Sequence, residues 1–391
     1  MENEQEKAPP EGRQQFKLEK DTELRLEIPE GKGKAELVLL HGQAEVFGTE
    51  LIRNKRLTFN AGSKVAVYTW HEWSYVSKET PMVMYLNLHM ALEQMRQKVE
   101  NTESDIGPRV MIVGPGDVGK STLCQLMLNY AVRMGRRPVF VDLDVGQGYI
   151  GIPGSMGALL IERPADIEEG FPLQAPLVFH YGHVSPSPNE KLYNKISSAI
   201  AEITKQRFEQ NKKAQVSGCI INTCGWVTGT GYRILVHAAE EFEVNVIVVL
   251  DQERTYNDLK KQFGNKVQIV HLPKSGGVVV RSQETRRSCR DDRVRAYFYG
   301  KKMNFYPHIF EVRFADIKIF KIGGRDLKHC VLALSAAESL EEDLVKTNII
   351  GFVVVNEVDL DRQMMVVLSP APRPLPRKFF LLSDVKFMDF K

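Results

Sequence analysis

From Phe16 to about Pro81 apolar and polar residues alternate with a period of two. Leu24, Leu26 and Ile28 point one way while Glu23, Arg25 and Glu27 point the other, the pattern of a strand with one buried face. AELVLL, AEVFGTEL, LTF and VAVYTW follow, separated by turns at His41-Gly42 and at Asn-Ala-Gly-Ser. These short β-rich runs predict a small antiparallel β-sandwich over 16–86, with Trp70 and Trp73 in its core or at a domain interface. Residues 1–15 are polar and predict a disordered tail without a secretory apolar stretch. At Asn87 the period changes. Leu88, Leu92, Met95 and Val99 recur at helical spacing, so a linker helix is expected within 87–107, closed by NTESDIGP.

Beyond Arg109 apolar strands alternate with helices. The expected strands are 110–113, 139–144, 218–223, 244–250 and 267–272, with helices near 120–134, 190–210, 231–242 and 255–263. That order predicts an α/β domain over 108–303 with a parallel, doubly wound sheet. From 304 to 391 the chain returns to strands: FEVRFADIKIFKI, CVLALS, IIGFVVVNEVD, MMVVLSP and KFFLLSDVKF. There are no internal repeats.

Composition adds constraints. The net charge of +3 in 391 residues is too small to signal a nucleic-acid partner by itself, so any basic site must be local. No apolar run approaches the ~20 residues of a membrane span. The five cysteines (Cys124, Cys219, Cys224, Cys289, Cys330) contain no CxxC, which argues against a disulfide framework or structural zinc and for a reducing compartment.

GPGDVGKST, Gly114 to Thr122, fits GxxxxGK[ST] between an apolar strand and a helical pattern. Glycines let backbone amides turn onto phosphate oxygens, and the following helix adds free N–H groups and the positive end of its dipole. Gly114, Gly116, Asp117, Val118, Gly119, Lys120, Ser121 and Thr122 thus form an expected ATP-binding set. Lys120 should reach the β/γ-phosphates and Ser121 should ligate Mg²⁺. The Asn-Lys pairs at Asn54, Asn194, Asn211 and Asn265 lack the Asp of a guanine-reading NKxD, which favours ATP.

VFVDLDVGQG places Asp142 and Asp144 at a strand's carboxyl end, where open α/β sheets bind ligands. Residues two apart on a strand share a face, so both acids can enter one site. Asp144 is assigned to the acceptor hydroxyl and Asp142 to the metal; the bland alternative is that one of them caps the next turn. RSQETRRSCRDDRVR, 281–295, carries six Arg, with Arg286, Arg290 and Arg293 on one helical face. After the Gly hinge in KSGGVV, that face reads as a lid over the triphosphate, or else as a solvated helix paired with Glu284, Asp291 and Asp292. Trp226, just past the strand GCIINT, is open to two readings: a platform for a nucleobase, or core.

The stretches AEVFGTEL, GPRVMIVGPGDVGKST, VDLDVGQG, PGSMGALLIERPADIEEGF, SGCIINTCGW, LDQERTYNDLK, RAYFYG and LSPAPRPLP resemble a known family over nearly the whole chain. It is the Clp/Grc P-loop polynucleotide kinases, in the animal form that is also a subunit of the pre-mRNA cleavage and tRNA-splicing endonuclease complexes. The resemblance implies an N-terminal β-sandwich, a central P-loop kinase domain and a small C-terminal α/β, β-rich domain. It implies transfer of the ATP γ-phosphate to the 5′-hydroxyl of RNA, and less selectively DNA, in tRNA splicing and mRNA 3′-end processing. The implied cofactors are ATP and Mg²⁺. The implied partners are RNA 5′-hydroxyl ends, tRNA-splicing endonuclease subunits and mRNA 3′-end cleavage factor subunits, with no membrane, in the nucleus. Carried over by position, Lys120, Asp144, Arg286 and Arg290 are catalytic, Gln147 and Trp226 contact RNA, and Glu23 and Lys64 join the ATP set. Against this family the chain is shorter at His71–Ser74 and near Ile322–Leu332. The competing readings are an ATP-bound scaffold without catalysis, as in some fungal relatives, and an ATPase switch.

Overall fold

The computed structural model describes residues 14–29, 33–70, 80–102, 105–321 and 327–388. Most of the expected tail, Trp73, His71–Ser74 and part of 322–332 lie outside them. Two units are separable, 1–84 and 85–391.

The N-terminal unit contains β1 (Thr22–Glu27), β2 (Lys34–Val38), β3 (Glu45–Val46), β4 (Thr49–Glu50), β5 (Arg56–Asn60) and β6 (Lys64–Thr69). One sheet is ordered β1-β6-β3-β4 and a second pairs β2 with β5. AEVFGTEL is a hairpin. Phe47 (φ 49) and Gly48 (φ 81) are both left-handed, as a two-residue turn matching the strand twist requires. Asn60–Ser63 does not close a hairpin: β5 and β6 belong to different sheets, so this turn carries the chain between layers. Leu57, Phe59, Val65 and Val67 are buried.

The helix α1 spans Met82–Glu100, so it begins ahead of Asn87 and stops short of 107. The Thr80 hydroxyl accepts the Met82 amide at 3.3 Å, and Pro81 follows, a residue that suits a first turn because it has no N–H to satisfy. The buried positions Met82 and Tyr85 continue the apolar spacing backwards from Leu88.

Next come β7 (Arg109–Val113), α2 (Lys120–Arg133), β8 (Val139–Asp142), β9 (Ser155–Leu160), β10 (Leu177–His180), α3 (Glu190–Gln210), α4 (Lys212–Ser217) and β11 (Cys219–Asn222). They are followed by α5 (Thr230–Glu241), β12 (Val246–Leu250), α6 (Glu253–Phe263), β13 (Gln268–Leu272) and α7 (Gln283–Tyr299). The sheet order is β10-β9-β8-β11-β7-β12-β13. Five neighbouring strands are parallel, as expected, but β9 runs antiparallel to both its neighbours, β8 and β10, so the sheet is mixed. The chain returns from β8 to β9 without a crossover helix, and only an antiparallel partner can be reached that way. Met111, Val141, Ile221, Ile247 and Val249 pack in the core with Tyr193 and Ile196 of α3. Consequently β7, β8 and β11 end together at the carboxyl edge.

The last region holds β14 (His308–Arg313), β15 (Lys318–Lys321), β16 (Cys330–Ser335), β17 (Ile349–Asp359), β18 (Met364–Ser369) and β19 (Phe379–Lys386). They form one sheet, β14-β18-β17-β16-β19-β15, around Leu332, Val353, Val367 and Phe380. Among the described residues from His308 onward there is no α-helix, so the α/β expectation for this region narrows to β. FEVRFADIKIFKI is broken by a 3-10 turn at Phe314–Asp316, where Arg313 donates to Asp316 at 2.9 and 3.1 Å. This sheet meets the edge strand β10: the Val178 amide donates to Asn348 Oδ1 at 2.7 Å and the Asp384 amide to the Gly182 carbonyl at 2.8 Å.

Candidate phosphoryl-transfer site

The loop Gly114–Gly119 follows β7 and runs straight into α2. Gly119 is left-handed (φ 90) and starts the helix without a side-chain cap. The first-turn amides are thereby left to an external acceptor, where a phosphate is favoured by both hydrogen bonding and the helix dipole. Lys120 is buried, and its Nζ donates to the Pro115 carbonyl at 2.7 Å, folding over its own loop. Burial lowers its pKa and the nearby Asp144 charge opposes that shift. Ser121 is exposed at the first turn and Thr122 half-buried.

The two acids are not placed by one strand face as expected. β8 ends at Asp142, and Asp144 lies in the turn beyond it. Asp144 Oδ1 accepts the Gly146 amide at 2.9 Å and the Gln147 amide at 3.2 Å. Its Oδ2 has no hydrogen-bond partner among the described residues. Asp142 is 2% exposed. Its Oδ1 accepts from the Asp144 amide (3.1 Å) and Asn222 Nδ2 (3.0 Å), and its Oδ2 from the Tyr149 amide. Burial, then the Asp144 charge, pushes its carboxyl up to about 6 against those three bonds. The turn-capping alternative therefore describes both oxygens of Asp142 and Oδ1 of Asp144.

A third segment enters from β11. A Cβ on Gly225 would stand 2.7 Å from the Gly116 nitrogen, so this loop presses on the phosphate loop. Trp226, next to it, is half-buried: its ring packs on the core and lies where a Gly231 side chain would be. The core reading of Trp226 is thus partly met, and the rest of the residue stays accessible.

The fourth segment is the expected lid, α7 with the strap before it. Arg286 Nη2 donates to Asp117 Oδ2 at 2.5 Å, and Arg281 bonds the same carboxylate through Nε and its backbone amide, both at 2.9 Å. Burial alone would raise the Asp117 carboxyl, but these bonds hold it down at about 2. Arg293 donates to the Tyr149 carbonyl at 3.2 Å and lies 5.3 Å from the Tyr149 ring centroid. Arg290 sits between them on the same face, with no ion pair among the described residues. The solvated-helix reading fails for this face, because Arg286 and Arg293 reach across to other segments instead of pairing with Glu284, Asp291 and Asp292.

Glu23 and Lys64 belong to the N-terminal unit. Glu23 is buried and accepts from Arg25 Nε at 2.5 Å and Thr80 Oγ1 at 2.9 Å. Lys64 is exposed and pairs with its cross-strand neighbour Glu27 at 2.8 Å. Sequence reasoning missed Asn222, Tyr149 and the role of Arg281. Asn222 stood at the expected edge, in GCIINT, but only strand neighbours reveal that it faces Asp142.

Fold and site together define a P-loop nucleotide-binding α/β protein with an acid pair and an arginine-rich helix at one sheet edge. Residues 114–300 match the family model for the mRNA cleavage and polyadenylation factor CLP1 P-loop. Residues 17–99 match the N-terminal β-sandwich domain of polyadenylation factor, and 322–389 match the pre-mRNA cleavage complex II protein Clp1. A protein CLP1 homolog of Nematostella vectensis is 68% identical over 429 aligned positions, covering 100% of both chains. The polyribonucleotide 5′-hydroxyl-kinase Clp1 of Homo sapiens is 56% identical, covering 96% of this chain and 97% of its own. A solved Clp1p, described with its extended interface to Pcf11p and the basis of ATP loss in a point mutant, superposes with a TM-score of 0.84. It is 26% identical and covers 96% of this chain and 98% of its own. The chain belongs to the Clp1 family. The 391 residues are spread over 429 aligned positions, so that relative carries residues that this chain lacks.

Proposed function

We propose that the protein is an ATP-dependent polyribonucleotide 5′-hydroxyl kinase. The observation that carries this is Asp144: its Oδ1 is pinned by two backbone amides, its Oδ2 has no hydrogen-bond partner among the described residues, and its charge acts on Lys120 of the phosphate loop. A carboxylate so held can accept the proton of a 5′-hydroxyl as the γ-phosphoryl group is transferred in line. Lys120, released from the Pro115 carbonyl, places its ammonium on the phosphates. Arg286 and Arg290 neutralise charge developing on the transferred group. Trp226 stacks a base near the acceptor end and Gln147 lines the same turn.

The donor set fits Mg²⁺, which takes hard oxygen ligands and usually combines one or two carboxylates with substrate phosphates. Ser121 offers an exposed hydroxyl, and beside Asp142 the buried Asn222 Oδ1 lacks a partner among the described residues. Ser121 and Asp142 would hold the ion, which supplies charge neutralisation across the phosphates. The relative bound to Pcf11p supports a cleavage-factor subunit as partner. Assembly with tRNA-splicing endonuclease subunits and nuclear residence complete the reading.

A 5′-hydroxyl RNA oligonucleotide incubated with ATP and Mg²⁺ should gain a 5′-phosphate, faster than with a Lys120→Ala control. Running single- and double-stranded RNA and DNA side by side reads the acceptor preference. The Clp1p–Pcf11p complexes also favour a second reading, an ATP-bound scaffold. A scaffold releases no ADP with or without RNA, whereas a kinase releases it with RNA.

A further inference from the structure

Asp117 is an anomaly in a loop that must receive a polyanion. Its carboxylate is 3% exposed, and a buried negative charge there opposes nucleotide binding. Two guanidinium groups on one carboxylate reverse the local sign. The backbone at Asp117 is left-handed (φ 57), a conformation Asp tolerates better than most residues. Arg281 is held twice, through its backbone amide and its Nε, immediately before Ser282 caps α7 by accepting the Thr285 amide. The entry to the lid helix is therefore tied to the phosphate loop. Arg286 gives only Nη2 to Asp117. Its Nη2 lies 3.4 Å from where a Gly116 Cβ would be, so the guanidinium covers the loop with its other donors unpaired among the described residues. The far half of α7 is anchored separately, by Arg293 on the Tyr149 carbonyl, by the Tyr297 hydroxyl accepting the Phe352 amide at 3.0 Å, and by Lys301 just beyond on the Glu169 carbonyl at 2.6 Å.

We propose that Asp117 is a positioning residue: it fastens Arg281 and Arg286 over the phosphate loop so that Arg286 is already in place for the transferring phosphoryl group. The proposal rests on the kinase reading above. Asp117 touches no reacting atom; it acts through the lid. The opposite assignment, a carboxylate that sequesters Arg286 and restrains turnover, is an outcome of the same test.

The test compares the full chain with Asp117→Ala, Asp117→Asn, Arg281→Ala and the Asp117→Ala/Arg281→Ala double variant. Two readouts are taken: kcat and KM for ATP in 5′-hydroxyl transfer, and trypsin cleavage at the lid arginines within 281–295. Asp117→Ala should lower kcat about ten-fold while KM for ATP stays within about two-fold. Lid cleavage should be faster and cleavage elsewhere unchanged. Asp117→Asn, which keeps one acceptor oxygen and the left-handed turn, should fall between. The double variant should lose about as much as the worse single variant, since both remove one attachment. Fully additive losses, unchanged lid protection, a rise in KM alone, or a faster Asp117→Ala enzyme would each overturn the proposal. Trypsin protection needs no turnover. A wild-type chain that phosphorylates nothing therefore defeats the kinase reading while the lid attachment is still measured.

Discussion

Asn222 and Asp142 are register partners on the neighbouring parallel strands β11 and β8, and Asn222 Nδ2 donates to Asp142 Oδ1 at 3.0 Å. Each residue is 2% exposed. The amide thus offsets part of the burial that raises the Asp142 carboxyl.

Replacing Asn222 by Ala removes a donor that favours the ionised acid, so Asp142 should titrate above its present value of about 6. If ionised Asp142 supports the metal, the acid limb of the rate–pH profile should move to higher pH. The lost buried bond should cost ~1–3 kcal/mol in urea unfolding at pH 8. In the wild type the folded pKa exceeds the ordinary 3.8, so this group's contribution to stability is complete below pH 3.8 and lost as pH rises through about 6. An unmoved acid limb would remove Asp142 from the catalytic ionisations.

Asp117 has the opposite sign. Its folded carboxyl sits at about 2 against an ordinary 3.8. Its contribution is therefore present above pH 3.8 and lost as pH falls through about 2. The stability advantage of the wild type over Asp117→Asn should be constant at pH 5 to 7 and vanish towards pH 2, read by thermal or urea denaturation. An advantage that persists at pH 2 would mean the arginine bonds do not depend on the charge.

Asp144→Asn keeps the shape of the side chain and an oxygen for the Gly146 and Gln147 amides, but abolishes the base. Nucleotide affinity should hold while transfer falls at least ~100-fold. Calorimetric ATP titration beside a single-turnover assay separates the two. Near wild-type transfer would assign the base to another residue.

Trp226 divides its ring between the core and the open side. Trp226→Ala should weaken RNA use by the ~1–3 kcal/mol of one stacked base, leave ATP affinity intact, and lower the melting temperature because the Gly231 side of the ring loses its packing. Trp226→Phe should recover most of the RNA effect. If the RNA concentration dependence is unchanged in Trp226→Ala, the residue belongs to the core alone.

Much of the site was legible because its chemistry is local. A phosphate loop needs its glycines, lysine and hydroxyl within one turn, and Gly114–Thr122 supplies them in sequence. The arginine face of α7 follows from helical spacing, and each apolar parallel strand announces itself by burial on both faces. The antiparallel pair β9 and β10 stayed hidden because SMGALL and LVFH are short apolar runs without a helix to separate them.

The order of residues alone determined the glycine-rich loop of phosphate-binding pattern, the acids beyond a strand and the basic helix that follows. Tertiary structure decided which partner each charge takes. Asp117 pairs with Arg281 and Arg286 across more than a hundred and sixty intervening residues, and Asp142 with Asn222 across about eighty. Such pairings depend on which strands become neighbours and where a helix lands. Hydrogen bonds are short-ranged and directional, so spacing along the chain does not encode them until the sheet order is set.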